Sequence, residues 1–310
     1  MQEMTRRKVL QKCMMIGLSS LGGNFGWSRV PELGRKLVIL HTNDTHPFFS
    51  VTGSSSGLSR REELLVARSE KIQQIRAEGF PVLLLDAGDF TGMNSHMISN
   101  EMPPAWRVIQ LMGYDAVALG DGELSAGLDM INLHWGKVGI PLLACNYKLE
   151  GTLLEKWVSP FCIIDKGNIR IGIIGLGLPL LNRLPESISM GMGCYDPINQ
   201  VNACITQLHK QGCELIICLS HLGDQSSTEY ANDFQLAREN MGIDIIIGAH
   251  SHRLYEQPRR FTNKIGEITL VNQMGWGGGY LGRLDVFFPK KGTTKTLKAN
   301  RLLIGKKIAE

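Results

Sequence analysis

The stretch LVILHTNDTH, Leu37–His46, decides the fold. Its first four residues are an unbroken branched apolar run, too short for a buried helix, and such a run marks a strand covered on both faces. The polar residues that follow place Asp44 and His46 just past the end of that strand. In open α/β sheets, ligands gather at the carboxyl ends of the strands, so this is where functional side chains are expected.

Outward from this strand the chain alternates. Arg60 to Ala77 carries Leu64, Leu65, Val66, Ile72 and Ile75 among charges, at helical spacing. Pro81 to Leu85 is a second strand, Pro104 to Met112 a short helix, and Ala116 to Leu119 and Leu142 to Ala144 are strands around a helical segment near Met130. The second half repeats the pattern. Strands are expected at Ile169 to Ile174, Leu215 to Leu219 and Ile243 to Ile247, with helices at Ile198 to Gln211 and Thr228 to Met241. Glu267 to Val271 and Tyr280 to Phe288 close it as strands. The alternation predicts an α/β fold with mostly buried sheets, in one domain over residues 36–310. Gly53 to Ser59 is the one flexible-looking loop.

The formal charge of the 310-residue chain is +4, but Arg6, Arg7, Lys8 and Lys12 against Glu3 account for +3 of it. The remainder is nearly neutral, which argues against a nucleic-acid surface. Residues 1–27 read as an export signal: a basic start with Arg6-Arg7, the weakly apolar run from Cys13 to Leu18, then small residues through Gly23. The arginine pair resembles a twin-arginine signal, so a periplasmic or otherwise exported protein is expected. An uncleaved signal would instead leave the chain associated with a membrane. The seven cysteines show no CxxC spacing, so a thiolate metal site is not expected, and the six beyond Cys13 read as buried thiols.

Aspartate and histidine recur where strands end. Asp44 and His46 follow the first strand, Asp89 the second (Asp86-Ala87-Gly88-Asp89) and Asp121 the third (Gly120-Asp121-Gly122-Glu123). His221 follows a later strand, and His250 and His252 follow another in Gly248-Ala249-His250-Ser251-His252. Each residue alone is ordinarily structural or solvated; all of them at strand ends beside small residues is another matter. Oxygen and imidazole ligands without thiolates suit Zn, Mn, Fe, Co or Mg. A pair of such ions about 3.5–4 Å apart activates water and clamps a phosphate for in-line attack. Asp86, Asn43, Glu123, Asn146 and Asn272 lie near these positions and none is assigned a catalytic role; Asp86 and Asn43 read as caps for loop backbone, with orientation of the ligands as the alternative. Gly175-Leu176-Gly177 lacks the rest of a dinucleotide fingerprint and reads as a tight turn.

The order Asn43-Asp44-Thr45-His46, Asp86-Ala87-Gly88-Asp89, Ser220-His221 and Gly248-Ala249-His250-Ser251-His252 resembles the calcineurin-like metallophosphoesterase superfamily, in its 5'-nucleotidase and UDP-sugar hydrolase branch. The closing stretch GWGGGYLGRLD, Gly275–Asp285, resembles the same branch. The resemblance implies a four-layer αββα sandwich and two divalent metal ions. It places Asp44, His46 and His252 on the first ion, Asp121, His221 and His250 on the second, and Asp89 between them, with a metal-bridging hydroxide as nucleophile. It also implies a small phosphorylated substrate, for which nucleotides are the branch's example.

Two departures qualify this. Gly122 stands where the branch has a histidine that stabilises phosphoryl charge and serves the leaving group, and Ser125 stands where an aspartate orients that histidine. Losing a general acid costs about 10²–10⁴ in rate, so reduced activity on unactivated esters is expected. Asp121 replaces a neutral amide ligand with a carboxylate. With the sequence ending at Glu310, the domain whose aromatic residues sandwich the nucleobase in the branch's two-domain members is not expected within it, which puts nucleotide specificity in question; a separate chain that supplies it is one expectation. The alternatives are a non-catalytic homologue that holds ions and an oxyanion, or a hydrolase of non-nucleotide, for example sulfur-bound, substrates.

Overall fold

The computed structural model describes residues 35–46, 60–91, 102–179, 192–225, 230–288 and 295–304. The export-signal reading and the Gly53 to Ser59 loop lie outside the described residues. In chain order the strands of the first half are β1 (Lys36–Thr42), β2 (Val82–Asp86), β3 (Ala116–Ala118), β4 (Leu142–Leu143), β5 (Tyr147–Lys148) and β6 (Val158–Ser159). Its helices are α1 (Arg60–Arg76), α2 (Pro104–Met112), α3 (Asp121–Ser125) and α4 (Leu128–Val138). The second half holds β7 (Phe161–Lys166), β8 (Ile169–Leu176), β9 (Gly193–Cys194), α5 (Pro197–Lys210), β10 (Leu215–Ser220), α6 (Asp233–Glu239) and β11 (Ile245–Gly248). It closes with β12 (Arg259–Thr262), β13 (Ile268–Asn272), β14 (Tyr280–Phe287) and β15 (Thr296–Leu303).

Two large sheets form. One has the order β15-β14-β1-β2-β3-β4-β6, the other β12-β13-β11-β10-β8-β7, and β5 pairs with β9 apart from both. The strands from β1 to β6 of the first sheet run parallel, as do β8, β10, β11 and β13 of the second. Successive side chains of a strand face opposite ways, and the cores follow that rule. Leu37 and Ile39 of β1 pack with Ile171, Ile217 and Ile247 from the other sheet, whereas Val38 and Leu40 pack with Ile72, Trp106 and Ile131 from the helices. On the far side, Ile216, Cys218 and Ile246 meet Val201, Ile205 and Leu208 of α5 and Leu236 of α6. The result is the four-layer αββα sandwich that the resemblance implies.

Local chemistry sets the ends of the helices. Pro104 opens α2 and Gly113 closes it in a left-handed conformation. α6 is shorter than the expected Thr228 to Met241 segment. The Asn232 side chain accepts from the Phe234 and Gln235 N–H groups and fixes its start, and Asn240 leaves the helix in an extended conformation. Gly175 lies inside β8 rather than in a tight turn: a side chain there would strike the Leu143 backbone, so its value is close approach between the sheets. Cys145, Cys162, Cys194, Cys204, Cys213 and Cys218 are all free, with Cys162 and Cys194 only partly buried.

Candidate metal centre

The pairing of β1 with β2 continues past the strands and sets two carboxylates side by side. Thr42 pairs with Asp86 in the ladder, and beyond it Asp44 N–H donates to Gly88 O (3.0 Å) and His46 N–H to Asp89 O (3.1 Å). In the second sheet Ser220 pairs with Gly248, so His221 and the His250–His252 loop leave the same edge together. The sheets meet there: His221 Nδ1 lies 2.9 Å from the Ala87 carbonyl. That contact favours a proton on Nδ1, so the neutral imidazole presents its Nε2 lone pair to a ligand.

All seven expected side chains converge. His221 Nε2 lies 3.0 Å from Asp121 Oδ1, 3.3 Å from Asp89 Oδ1 and 4.0 Å from Asp44 Oδ1. His250 Nδ1 is 3.4 Å from Asp121 Oδ1, His252 Nε2 3.6 Å from Asp44 Oδ1, and His46 Nε2 3.6 Å from Asp89 Oδ2. Three sets of ligand atoms each lie within 4.8 Å of one another: Asp44, His46 and His252; Asp121, His221 and His250; Asp44, Asp89 and His221. Ligands bound about 2.0–2.2 Å from one ion are separated by distances of this order. The second set is incomplete as protein alone. His221 Nε2 and Asp121 Oδ1 are buried, and neither completes a hydrogen bond despite their 3.0 Å separation. Two buried ligand atoms this close, with no hydrogen bond completed between them, form a place that a divalent cation would satisfy on displacing the proton, so these residues fit the implied metal.

The backbone is strained where the ligands sit. Asp44 (φ 45°), Asp89 (φ 58°), His250 (φ 65°) and His252 (φ 58°) are left-handed, and only Asn168 joins them among the described non-glycine residues. Such conformations persist where the surroundings impose them, and they cluster at functional sites. Hydrogen bonds impose them here. The His250 N–H donates to Asp44 Oδ1 and Oδ2 (both 3.0 Å), and Asn43 Nδ2 donates to Asp44 Oδ2 (2.7 Å) and to Gly275 O (2.6 Å). On the other side the Gly122 N–H donates to Asp89 Oδ1 (2.7 Å). Buried Glu123 accepts from the N–H groups of Asp89 (2.9 Å), Thr91 (2.7 Å) and Gly120 (2.9 Å). Asp86 accepts from Thr42 Oγ1 and Gly88 N–H, and Asn146 exchanges two hydrogen bonds with the Gly177 backbone. Asp86 thus caps loop backbone as expected, Glu123 and Asn146 do the same, and Asn43 both caps the loop and orients the Asp44 carboxylate. Asn272 instead reaches across the sheets, its Nδ2 lying 2.9 Å from His41 Nε2.

The electrostatics favour a cation. Burial lifts the Asp44 carboxyl to about 7, with His221 pulling down and Asp89 pushing up. Burial opposes charge on His221, but Asp89, Asp121 and Asp44 outweigh it and hold the imidazole well above its ordinary range. Burial also pushes His252 down, and His46 adds to the effect. Three carboxylates in so small a space form a field that a proton neutralises only in part.

Gly122 is more than a missing histidine. A Cβ on it would lie 2.5 Å from the Thr91 carbonyl oxygen and 3.1 Å from Asp89 Oδ1. The backbone has closed over the place a side chain would occupy. Sequence reading passed over two other residues. Trp276, the only bulky side chain in the glycine run, stacks on His252 at 5.6 Å between ring centroids and 10° between planes. Buried Arg68 donates to Gly278 O (3.1 Å) and holds the same loop from beneath. The signal for Trp276 was one indole among glycines; a buried arginine on a charged helix leaves none.

A family model described as calcineurin-like phosphoesterase matches residues 37–254. Among curated proteins, a 5'-nucleotidase of Vibrio cholerae is 30% identical over 275 residues, covering 82% of this chain and 49% of that protein. A 5'-nucleotidase of Bos taurus is 29% identical over 306 residues, covering 89% and 50%. Among solved structures, a 5'-nucleotidase precursor from Thermus thermophilus superposes with a TM-score of 0.71 at 26% identity, over 87% of this chain and 54% of that one. The chain spans about half the length of the curated relatives it matches.

Proposed function

The chain belongs to the calcineurin-like phosphoesterase family, and from that premise we propose that it is a two-metal phosphoester hydrolase, 5'-nucleotidase-like, restricted to esters with good leaving groups. Asp44, His46 and His252 would hold one ion, Asp121, His221 and His250 the other, and Asp89 would bridge. The observation that carries this is the convergence of the seven side chains in those ligand sets, with His221 Nε2 and Asp121 Oδ1 buried and without a completed hydrogen bond. When bound, ions of this kind polarise a phosphoryl group and lower the pKa of water. The protein's own part is to fix the carboxylates through backbone N–H groups, keep His221 in the ligating tautomer through Ala87, and exclude water behind Asp44 and Asp89.

The restriction rests on Gly122 and Ser125. Gly122 has no side chain to donate from, and the Ser125 hydroxyl is too weak an acid to replace a histidine, so an alcohol that leaves without a proton is favoured. Export of the chain belongs to the same reading, supported by the basic and apolar order of residues 1–27. The closure over Gly122 also favours a second reading, a homologue that holds ions and an oxyanion without turnover.

Protein purified without added metal should contain about two divalent ions per chain, and it should cleave 4-nitrophenyl phosphate far faster than an alkyl phosphate. Two ions with no cleavage of either ester would favour the binding protein. No ions, and none taken up from added Mn, Zn, Co or Fe, would remove both readings.

A further inference from the structure

The run Gly275-Trp276-Gly277-Gly278 holds one side chain among four residues, and its backbone is pinned at every turn. Gly275 N–H donates to Arg253 O (2.8 Å), Gly277 N–H donates to Asp44 O (2.7 Å), Asn43 Nδ2 holds Gly275 O and Arg68 holds Gly278 O. Gly275, Gly277 and Gly278 have φ of 72°, 70° and 72°, a conformation that residues with a Cβ rarely adopt. A rigid loop built this way presents its single indole. Trp276 remains 50% exposed while its ring lies against His252, the most exposed of the candidate ligands. A large aromatic side chain held half in water, on a fixed loop, one ring's width from the ion site, is placed to receive something flat.

We propose that Trp276 is a stacking platform that selects phosphoesters whose alcohol portion carries a flat aromatic group. This rests on the hydrolase reading above for its substrate class. It would give this chain its own means of gripping an aromatic leaving group. It also matches the leaving-group restriction, because aryl alcohols leave without a proton donor. Stacking on an aromatic side chain is enough to set a preference of roughly tenfold.

The test uses binding without turnover. Phenylphosphonate and methylphosphonate carry the same head group on a carbon–phosphorus bond that a phosphoesterase leaves intact. Their affinities for the metal-loaded protein are compared by calorimetry in the parent, Trp276→Ala and Trp276→Phe, with metal content measured in each. The expected result is a phenyl-over-methyl preference of about tenfold in the parent, lost in Trp276→Ala and largely kept in Trp276→Phe. A ratio unchanged in Trp276→Ala overturns the platform. So does a loss of both affinities together with bound metal, since Trp276 would then only orient His252. If the ratio collapses as expected but no ester is cleaved, the platform stands and the hydrolase reading falls. Aryl phosphate turnover with an unchanged ratio removes the platform and leaves the hydrolase standing.

Discussion

The two sheets bring different chemistry to their shared edge. The first supplies every carboxylate of the cluster, Asp44, Asp89 and Asp121, with His46; the second supplies only imidazoles, from His221, His250 and His252. Neither sheet alone carries both the charge to hold two cations and enough neutral ligands to leave them reactive. The site is therefore a property of the seam. The two central carboxylates are also fixed in matching fashion, each by a backbone N–H from another strand end: His250 holds Asp44, and Gly122 holds Asp89. The likeness ends at the next atom. Around Asp44 the Asn43 amide joins the frame at the carboxylate itself, whereas around Asp89 the Glu123 side chain holds only the backbone N–H, and Thr91 O leaves Gly122 no room for a side chain.

Removing the carboxylate that touches both halves gives the largest effect. Asp89→Ala should lower aryl phosphate turnover roughly a thousandfold, since the several kcal/mol of charge stabilisation from a paired-metal site depend on the ions staying together. Metal content measured on the same preparation should fall below two per chain. Unchanged turnover would mean that the seam is not the reaction centre. Asn43→Ala strikes only the Asp44 half. It removes the donor to Asp44 Oδ2 and Gly275 O and the acceptor of the Met274 N–H (2.9 Å), so metal affinity should drop about 10–100-fold in a chelator-buffered titration. If affinity holds, the backbone N–H of His250 suffices and the two halves are framed more alike than they look.

The strands that feed the seam were legible because they are buried on both faces, and an apolar run ending in Asp or His is a sharp change of composition. β1, β2, β10 and β11 lie within a residue or two of their expected bounds. The edge strands were not legible. β12 reads Arg-Arg-Phe-Thr, and β15 alternates exposed and half-exposed residues, because half of an edge strand faces water and needs no hydrophobic signal. The ligand residues were legible as a set through their ordering. What Gly122 means was not: the sequence records a missing side chain, and only the fold reveals that Thr91 O has taken its space.

That closure makes a prediction of intermediate size. Alanine is the better helix former by about 1 kcal/mol, so Gly122→Ala in α3 would ordinarily stabilise. Contact at 2.5 Å with a backbone oxygen reverses the sign, because overpacking against backbone costs about 1–3 kcal/mol. Gly122→Ala should lower the denaturation midpoint, and Gly122→His with Ser125→Asp should be less stable still and gain no turnover on alkyl phosphates. Recovery of alkyl phosphatase activity by that pair would show that the Asp89 half is a lapsed copy of the family pattern with its frame intact.

The smallest effect tests the seam itself. His41 of β1 is buried between the sheets against Asn272 of β13, and Gly282 on the neighbouring strand leaves room for its ring. Burial pushes its pKa down to about 3, against about 6.5 in an unfolded chain. Between those values the unfolded state binds a proton that the folded state refuses. His41 therefore contributes stability above pH 6.5 that is lost as pH falls towards 3, at up to about 1.4 kcal/mol per pH unit. The raised carboxyls of Asp44 and Asp86 titrate in the opposite sense over part of this range, so the readout is the difference between parent and variant. His41→Asn, which keeps a polar partner for Asn272, should flatten the parent's fall in denaturation free energy between pH 6.5 and 4.5 by roughly 1 kcal/mol per unit. Parallel curves for the two proteins would mean that His41 is hydrated or relaxes on protonation, and that the sheets are less tightly joined beneath the ligand cluster than the hydrogen bond to Asn272 implies.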